Sequence, residues 1–268
     1  MPRFEPHPTR RPALIAGASS GIGAATAVAL AELGHPVALG ARRVDVCEQL
    51  AEKIRADGGE AVALRLDVSE GSSVDEFVTA AEKALGPAEI VLSGAGDIEF
   101  GLAHEMDSED FLTQVHIHLV GAQRLVHRVV PDMISRRRGD FVLIGSDCAD
   151  TPRPRMGAYN AAKTGLEAMG RQMRMELEGT GVRASVVRPG PTQTGMGMTA
   201  SPEVVGPLLD DWSRWGFARH PYFLRASDIA AAVVAVVSAP RGAHLVLVEV
   251  QPEAPLREVK AEAGQENS

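Results

Sequence analysis

Residues 13–23 read Ala13-Leu14-Ile15-Ala16-Gly17-Ala18-Ser19-Ser20-Gly21-Ile22-Gly23, and their order decides the fold. Four apolar residues suit a buried strand, and the run 22–33 behind them suits a helix. Between the two, Gly17, Gly21 and Gly23 permit a tight turn and close approach of another backbone. The helix start then presents unsatisfied N–H groups, a natural seat for a pyrophosphate. Ser19, Ser20 and Ile22 lie within the same turn and join the glycines as cofactor-contacting candidates. The spacing is GxxxGxG rather than GxGxxG, and glycine turns also occur at ordinary strand–helix junctions.

The same alternation continues outward. Apolar β-rich runs fall at 13–16, 36–39, 61–66, 90–93, 141–144, 184–188 and 244–250, and helical patterns at 22–33, 44–56, 73–85, 109–137 and 159–177. Seven strands interleaved with helices predict an α/β, doubly wound, mostly parallel seven-stranded sheet with helices on both faces. Ligands of such sheets bind beyond the carboxyl ends of the strands. One domain is expected over 12–251, with a loose Pro- and Arg-rich arm at 1–11 and a polar tail at 252–268. Residues 192–224 break the alternation and hold both tryptophans, Trp212 and Trp215, with Phe217, Tyr222 and Phe223. That segment reads as a flap over an apolar substrate, or as a packed helix–loop excursion.

Composition narrows the class. The 268 residues are 45% hydrophobic and 23% charged, which suits a globular chain. A formal net charge of −8 argues against a general nucleic-acid binder. Cys47 and Cys148 form no CxxC and no disulfide framework, so a cytoplasmic location is the expectation. No apolar run is long enough to span a membrane, and no metal site is expected.

At the end of the second strand stands Gly40-Ala41-Arg42-Arg43. A site for NAD commonly offers a carboxylate here to the ribose 2′-hydroxyl; one for NADP offers arginine to the 2′-phosphate. Arg42 and Arg43 therefore favour NADP, with NAD as the alternative cofactor. Asp67, after the third strand, either accepts from the adenine amino group or caps the following helix.

Tyr159 and Lys163 are four apart, so on a helix they share one face. A free phenol titrates near ~10, and an adjacent ammonium is expected to lower it into a useful range. Ser146, thirteen residues upstream at a strand end, is placed to hold a substrate oxygen beside the phenol. The trio moves protons; hydride must come from a nicotinamide.

With these residues in hand, the chain resembles the short-chain dehydrogenase/reductase family over nearly its whole length, about residues 12–250. Residues 16–23 match TGxxxGIG, Asp67-Val68 matches the adenine-pocket pair, and Tyr159 with Lys163 matches YxxxK. Ser93-Gly94-Ala95-Gly96 stands for Asn-Asn-Ala-Gly, and Pro189-Gly190 through Thr192 and Thr194 for the segment that meets the nicotinamide. The resemblance implies a Rossmann-like fold, with Tyr159 as general acid or base. Lys163 would hold the nicotinamide ribose, Ser146 the carbonyl, and Thr194 with the backbone after Pro189 the carboxamide. Thr192 and Thr194 also suit a plain turn. Ala16, Ser93-Gly94 and His118 depart from the family pattern. His118 occupies the position of its fourth catalytic residue, an asparagine. There it leaves a backbone carbonyl relay intact, joins the relay through a ring titrating near neutrality, or merely packs. His116 and His118 diverge on a helix and make no metal pair.

The expected activity is hydride transfer between NADP(H) and a carbonyl or alcohol, on an apolar substrate of moderate size. A catalytically impaired NADP-binding sensor or assembly protein is the alternative. The resemblance also implies a homodimer or homotetramer built on helices 109–137 and 159–177.

Overall fold

The computed structural model describes residues 5–197, 201–217 and 220–256. Strands β1 (Ala13–Ala16), β2 (Val37–Ala41), β3 (Ala61–Arg65), β4 (Ile90–Ser93), β5 (Gly139–Ile144), β6 (Val182–Pro189) and β9 (Leu247–Val250) form one sheet. Its order is β3-β2-β1-β4-β5-β6-β9, and every neighbouring pair is parallel. The order reverses between β1 and β4, which opens a crevice at their carboxyl ends.

Period-two alternation sorts each strand between two cores. Leu14 and Ala16 join one apolar cluster with Phe77 of α3 (Gly71–Leu85), Leu125 of α5 (Gly121–Ser135) and Leu166 of α6 (Gly157–Glu176). Ala13 and Ile15 join the opposite cluster with Leu30 of α1 (Gly21–Glu32), Ala51 of α2 (Val44–Ala56) and Val233 of α8 (Ala226–Ser238). Burial on both faces explains why the central strands read as unbroken apolar runs.

Several expectations are corrected. The arm is not loose up to residue 11. Arg11 is 2% exposed, donates to the Asp140 carboxylate and to Val237 O at 2.8 Å, and Arg183 binds the same carboxylate at 2.6 Å. Arg10 reaches Leu85 O at 3.0 Å and His7 Nε2 lies 3.0 Å from Ala239 O. Buried charges need partners, and the amino ends of β5 and β6 supply them here. Residues 1–4 and 257–268 of the expected arm and tail lie outside the described residues.

The expected helix 109–137 is three pieces: α4 (Ser108–Val115), a π-helical turn His116–Val120, and α5. The last expected strand begins at Leu247 rather than 244. Within 192–224, β7 (Thr192–Gln193) pairs with β8 (Leu224–Arg225), and α7 (Pro202–Arg214) lies between them. Residues 198–200 and 218–219 of that segment lie outside the described residues.

Candidate active site

A cleft of about 900 Å³ opens along the carboxyl ends of the parallel strands. Its lining includes each expected cofactor residue, together with Ser146, Tyr159 and Lys163. His118 is the expected site residue that stands behind the wall rather than on it.

The glycine turn forms one end. Gly17 has φ +89°, and a Cβ there would lie 2.7 Å from Ala95 N. A Cβ on Gly23 would lie 2.2 Å from Gly17 O, so α1 begins pressed against the turn. No side chain caps α1 at Ser20, and its first turn carries no acidic residue. Its leading N–H groups thus face the cleft without a protein anion, an arrangement suited to phosphate. Arg43 donates to Ser19 Oγ at 3.0 Å, joining the second strand's exit to the glycine loop, and Arg42 lies alongside in the cleft wall.

Asp67 accepts from Ser69 N at 3.0 Å and Ser69 Oγ at 2.6 Å, closing a local turn. Burial pushes its carboxyl up, but these bonds with Arg42 and Arg65 outweigh it and hold the group below the usual range. The helix cap falls on Glu70, so Asp67 does not cap α3. Val68 packs against Gly121, where a Cβ would lie 2.8 Å away. Gly94 N donates to Ala16 O at 3.1 Å, so backbone ties the central strands where the family uses asparagines.

At the exit of β6, Gly190 N donates to Val250 O at 2.8 Å, behind Pro189. Thr192 Oγ1 donates to Gly190 O at 2.8 Å, and Thr194 Oγ1 accepts from Met196 N at 3.3 Å. Both hydroxyls carry a turn contact on the cleft wall.

The other end holds Ser146, Tyr159 and Lys163. Ser146 follows β5 and accepts at Oγ from Cys148 N at 3.2 Å, within a short 3₁₀ turn Asp147–Ala149. Tyr159 lies in the first turn of α6, is 8% exposed, and its phenol faces the Ser146 hydroxyl. One turn on, Lys163 Nζ donates to Ile144 O at 2.7 Å and lies 5.6 Å from the phenol ring centroid. Burial, with Cys148 and Asp147, pushes the phenol up against the opposing Ser146 bond and Arg153. That corrects the expected downward shift: desolvation outweighs Ser146 and Arg153, so the phenol keeps its proton at neutral pH. Burial lowers Lys163 to about 8, opposed by Glu167 and Cys148.

His118 is 2% exposed and donates from Nε2 to Asp97 O at 2.6 Å. Its Nδ1 is buried with no hydrogen-bond partner among the described residues. Burial, reinforced by Lys163, lowers the ring to about 3. It is a neutral Nε2–H imidazole, which corrects the reading of a ring titrating near neutrality. It stands in the π-helical turn, where Gly121 N reaches back five residues to His116 O.

Sequence reasoning missed part of the wall. Arg153 grips Asp147 through two bonds of 2.8 and 2.6 Å and lies 5.6 Å from the Trp212 ring centroid. Trp212 Nε1 donates to Pro154 O at 3.2 Å, and Arg155 pairs with Asp211 at 2.8 Å. These contacts fasten α7 over the site. Cys148, Met156 and Tyr159 form a small apolar cluster with Ile98, Phe100, Met196 and Trp212. Asp147 and Cys148 directly follow Ser146, a signal available in the chain; the turn carrying Arg153 has no periodicity to reveal it.

Comparison with known proteins agrees with this geometry. The family model described as short chain dehydrogenase matches residues 11–204. A glycine betaine reductase of Emericella nidulans is 34% identical over 239 residues, covering 89% of this chain and 18% of that protein. The chain therefore spans under a fifth of that relative's length. An alcohol dehydrogenase of Thermococcus sibiricus complexed with 5-hydroxy-NADP superposes with TM-score 0.77 at 28% identity, over 91% of this chain and all of that one. A variant of actinorhodin polyketide ketoreductase with NADPH reaches TM-score 0.81 at 25% identity, over 90% and 95% of the two chains.

Proposed function

The chain belongs to the short-chain dehydrogenase family and is an oxidoreductase of that type, and from that premise we propose that it reduces an apolar ketone or aldehyde of moderate size with NADPH. The observation that carries the reading is the buried Tyr159 phenol, facing Ser146 in the cleft, with Lys163 one turn behind it. NADPH held by the cleft residues would supply the hydride.

The protein's own part follows from its donors. Ser146 Oγ accepts from Cys148 N, and its hydroxyl, which faces the phenol, would turn its proton to a substrate oxygen bound between them. Tyr159, kept protonated by burial, gives its proton to that oxygen as the carbonyl becomes an alcohol. This protonation state suits reduction. Lys163 uses one N–H on Ile144 O, leaving two for the ribose and for returning a proton to Tyr159. Gly17, Gly21 and the free start of α1 would hold the pyrophosphate, and Arg42 and Arg43 the 2′-phosphate, which supports NADP over NAD. Ile98, Phe100, Met156, Met196 and Trp212 support an apolar substrate.

The test is NADPH depletion against a panel of alkyl and aryl ketones and aldehydes, with Tyr159→Phe as control. Turnover by the wild type that the variant largely loses is expected; substantial turnover surviving in the variant would sink the mechanism. The sensor alternative predicts NADPH binding with no turnover on any panel member. Exposed Leu112, Ile134 and Met175 on α4, α5 and α6 support self-association through those helices, which light scattering reads directly. No helix among the described residues is long and apolar enough to cross a membrane.

A further inference from the structure

Glu167 lies one turn beyond Lys163 on α6 and is 3% exposed. Its Oε1 accepts from Ser146 N at 3.5 Å and from Arg188 Nε at 3.1 Å, and its Oε2 accepts from Arg188 Nη2 at 2.7 Å. Arg188 directly precedes Pro189-Gly190 on β6 and extends its other arm to Glu249 of β9 at 3.0 Å. The exit of β5 closes on the same carboxylate: a Cβ on Gly145 would lie 2.5 Å from Glu167 Oε1. One buried group thus meets the three segments that carry Ser146, Lys163 and the Pro189-Gly190 turn.

A buried ion pair is a poor source of net stability, because apolar replacements of similar volume are commonly neutral or better. Its merit is geometric, since a bidentate arginine–carboxylate pair tolerates few arrangements. We propose that Glu167 is a positioning residue for the reductase site: clamped by Arg188, it holds the ends of β5 and β6 in register with α6 and sets a negative charge facing Lys163. The inference rests on the role given to Lys163 above.

The groups facing Lys163 are Glu167 and Tyr159 on its own helix, Cys148 on the 3₁₀ turn and His118 on the π-helical turn. The His118 ring is neutral and the phenol protonated, so Glu167 is the leading opponent of the desolvation that lowers the lysine. Removing the carboxylate lets burial lower Lys163 further.

The experiment titrates NADPH binding, followed by dihydronicotinamide fluorescence, from acid to alkaline pH. It compares wild type, Lys163→Ala, Glu167→Gln, and Glu167→Gln combined with Arg188→Met, which removes the orphaned guanidinium. Wild-type affinity is expected to fall through an alkaline step that Lys163→Ala lacks. In both Glu167 variants that step moves acid by about one pH unit, about a threefold loss of affinity midway between the two midpoints and approaching tenfold above both. A step left at its wild-type pH in the double variant, with only a lowered melting temperature, overturns the proposal and reduces Glu167 to packing. A wild-type profile identical to that of Lys163→Ala instead overturns the role of Lys163, and the proposal with it.

Discussion

The imidazole of His118 stands edge-on to the ring of Tyr159, with centroids 5.0 Å apart and planes at 87°. Where the family resemblance implies an asparagine, a buried and uncharged ring braces the Tyr159 phenol. Its Nε2–H is held by Asp97 O, and a Cβ on Gly96 would lie 2.4 Å from its Cε1. The histidine is therefore fixed behind the cleft wall, with its proton on Nε2.

This arrangement sets a pH dependence of stability. The His118 ring titrates at about 3 when folded, against 6.5 when free. Between those values the unfolded chain binds a proton that the folded chain refuses. The stabilising contribution is therefore present above pH 6.5 and lost as pH falls toward 3. His118→Asn should flatten the fall of denaturant-derived stability between pH 6.5 and 4, relative to wild type. Because His7, His35 and His244 are also lowered, the difference between the two proteins is the quantity to measure. Equal slopes would show that His118 is not buried neutral.

Tyr159→Phe removes the proton donor while keeping the ring that packs on His118 and Met156. Carbonyl reduction should fall by about 10²- to 10⁴-fold, the usual worth of a positioned general acid. NADPH affinity should change little, as read by fluorescence titration of the same preparation.

Arg43→Ala removes the bond to Ser19 and a cation from the second strand's exit. Loss of a charged hydrogen bond to the 2′-phosphate should weaken NADPH about ten- to a hundredfold. NADH, which lacks that phosphate, should bind as before. Parallel loss for both cofactors would refute the NADP assignment to this residue.

Trp212→Ala cuts the link from α7 to Pro154 and uncovers Arg153. The KM for an apolar ketone should rise on the order of tenfold, with kcat less affected. An unchanged KM across aryl and alkyl ketones would place the substrate away from α7.

Asp140→Asn leaves Arg11 and Arg183 buried beside a neutral amide at the end of the sheet remote from the cleft. Breaking one side of such a network costs about 3–5 kcal/mol. Urea unfolding should register that loss, while turnover per folded molecule stays at the wild-type level.

Much of the fold was legible because it rests on local rules. Apolar runs such as 13–16 and 90–93 reveal strands buried on both faces, and the glycines at 17, 21 and 23 reveal the turn between β1 and α1. The Tyr159–Lys163 pair was legible because four-residue spacing on a helix is itself a contact rule. The π-helical turn at 116–120 was not, since it differs from the helices on either side only in its backbone hydrogen-bond step. Nor was the fastening of Arg11, whose partner Asp140 lies on another strand.

What the sequence determined by itself was the order of strands and helices, the glycine turn between β1 and α1, and the gathering of Ser146, Tyr159 and Lys163 at one cleft. Each depends on neighbours within a few residues or on a motif. Tertiary structure decided the electrostatics: the phenol was expected to be lowered by its lysine and is instead raised by burial. It also decided that His118 is neutral and that Glu167, Arg188 and Ser146 share one contact. Desolvation depends on everything packed around a group from segments distant in the chain, so no local pattern reports it.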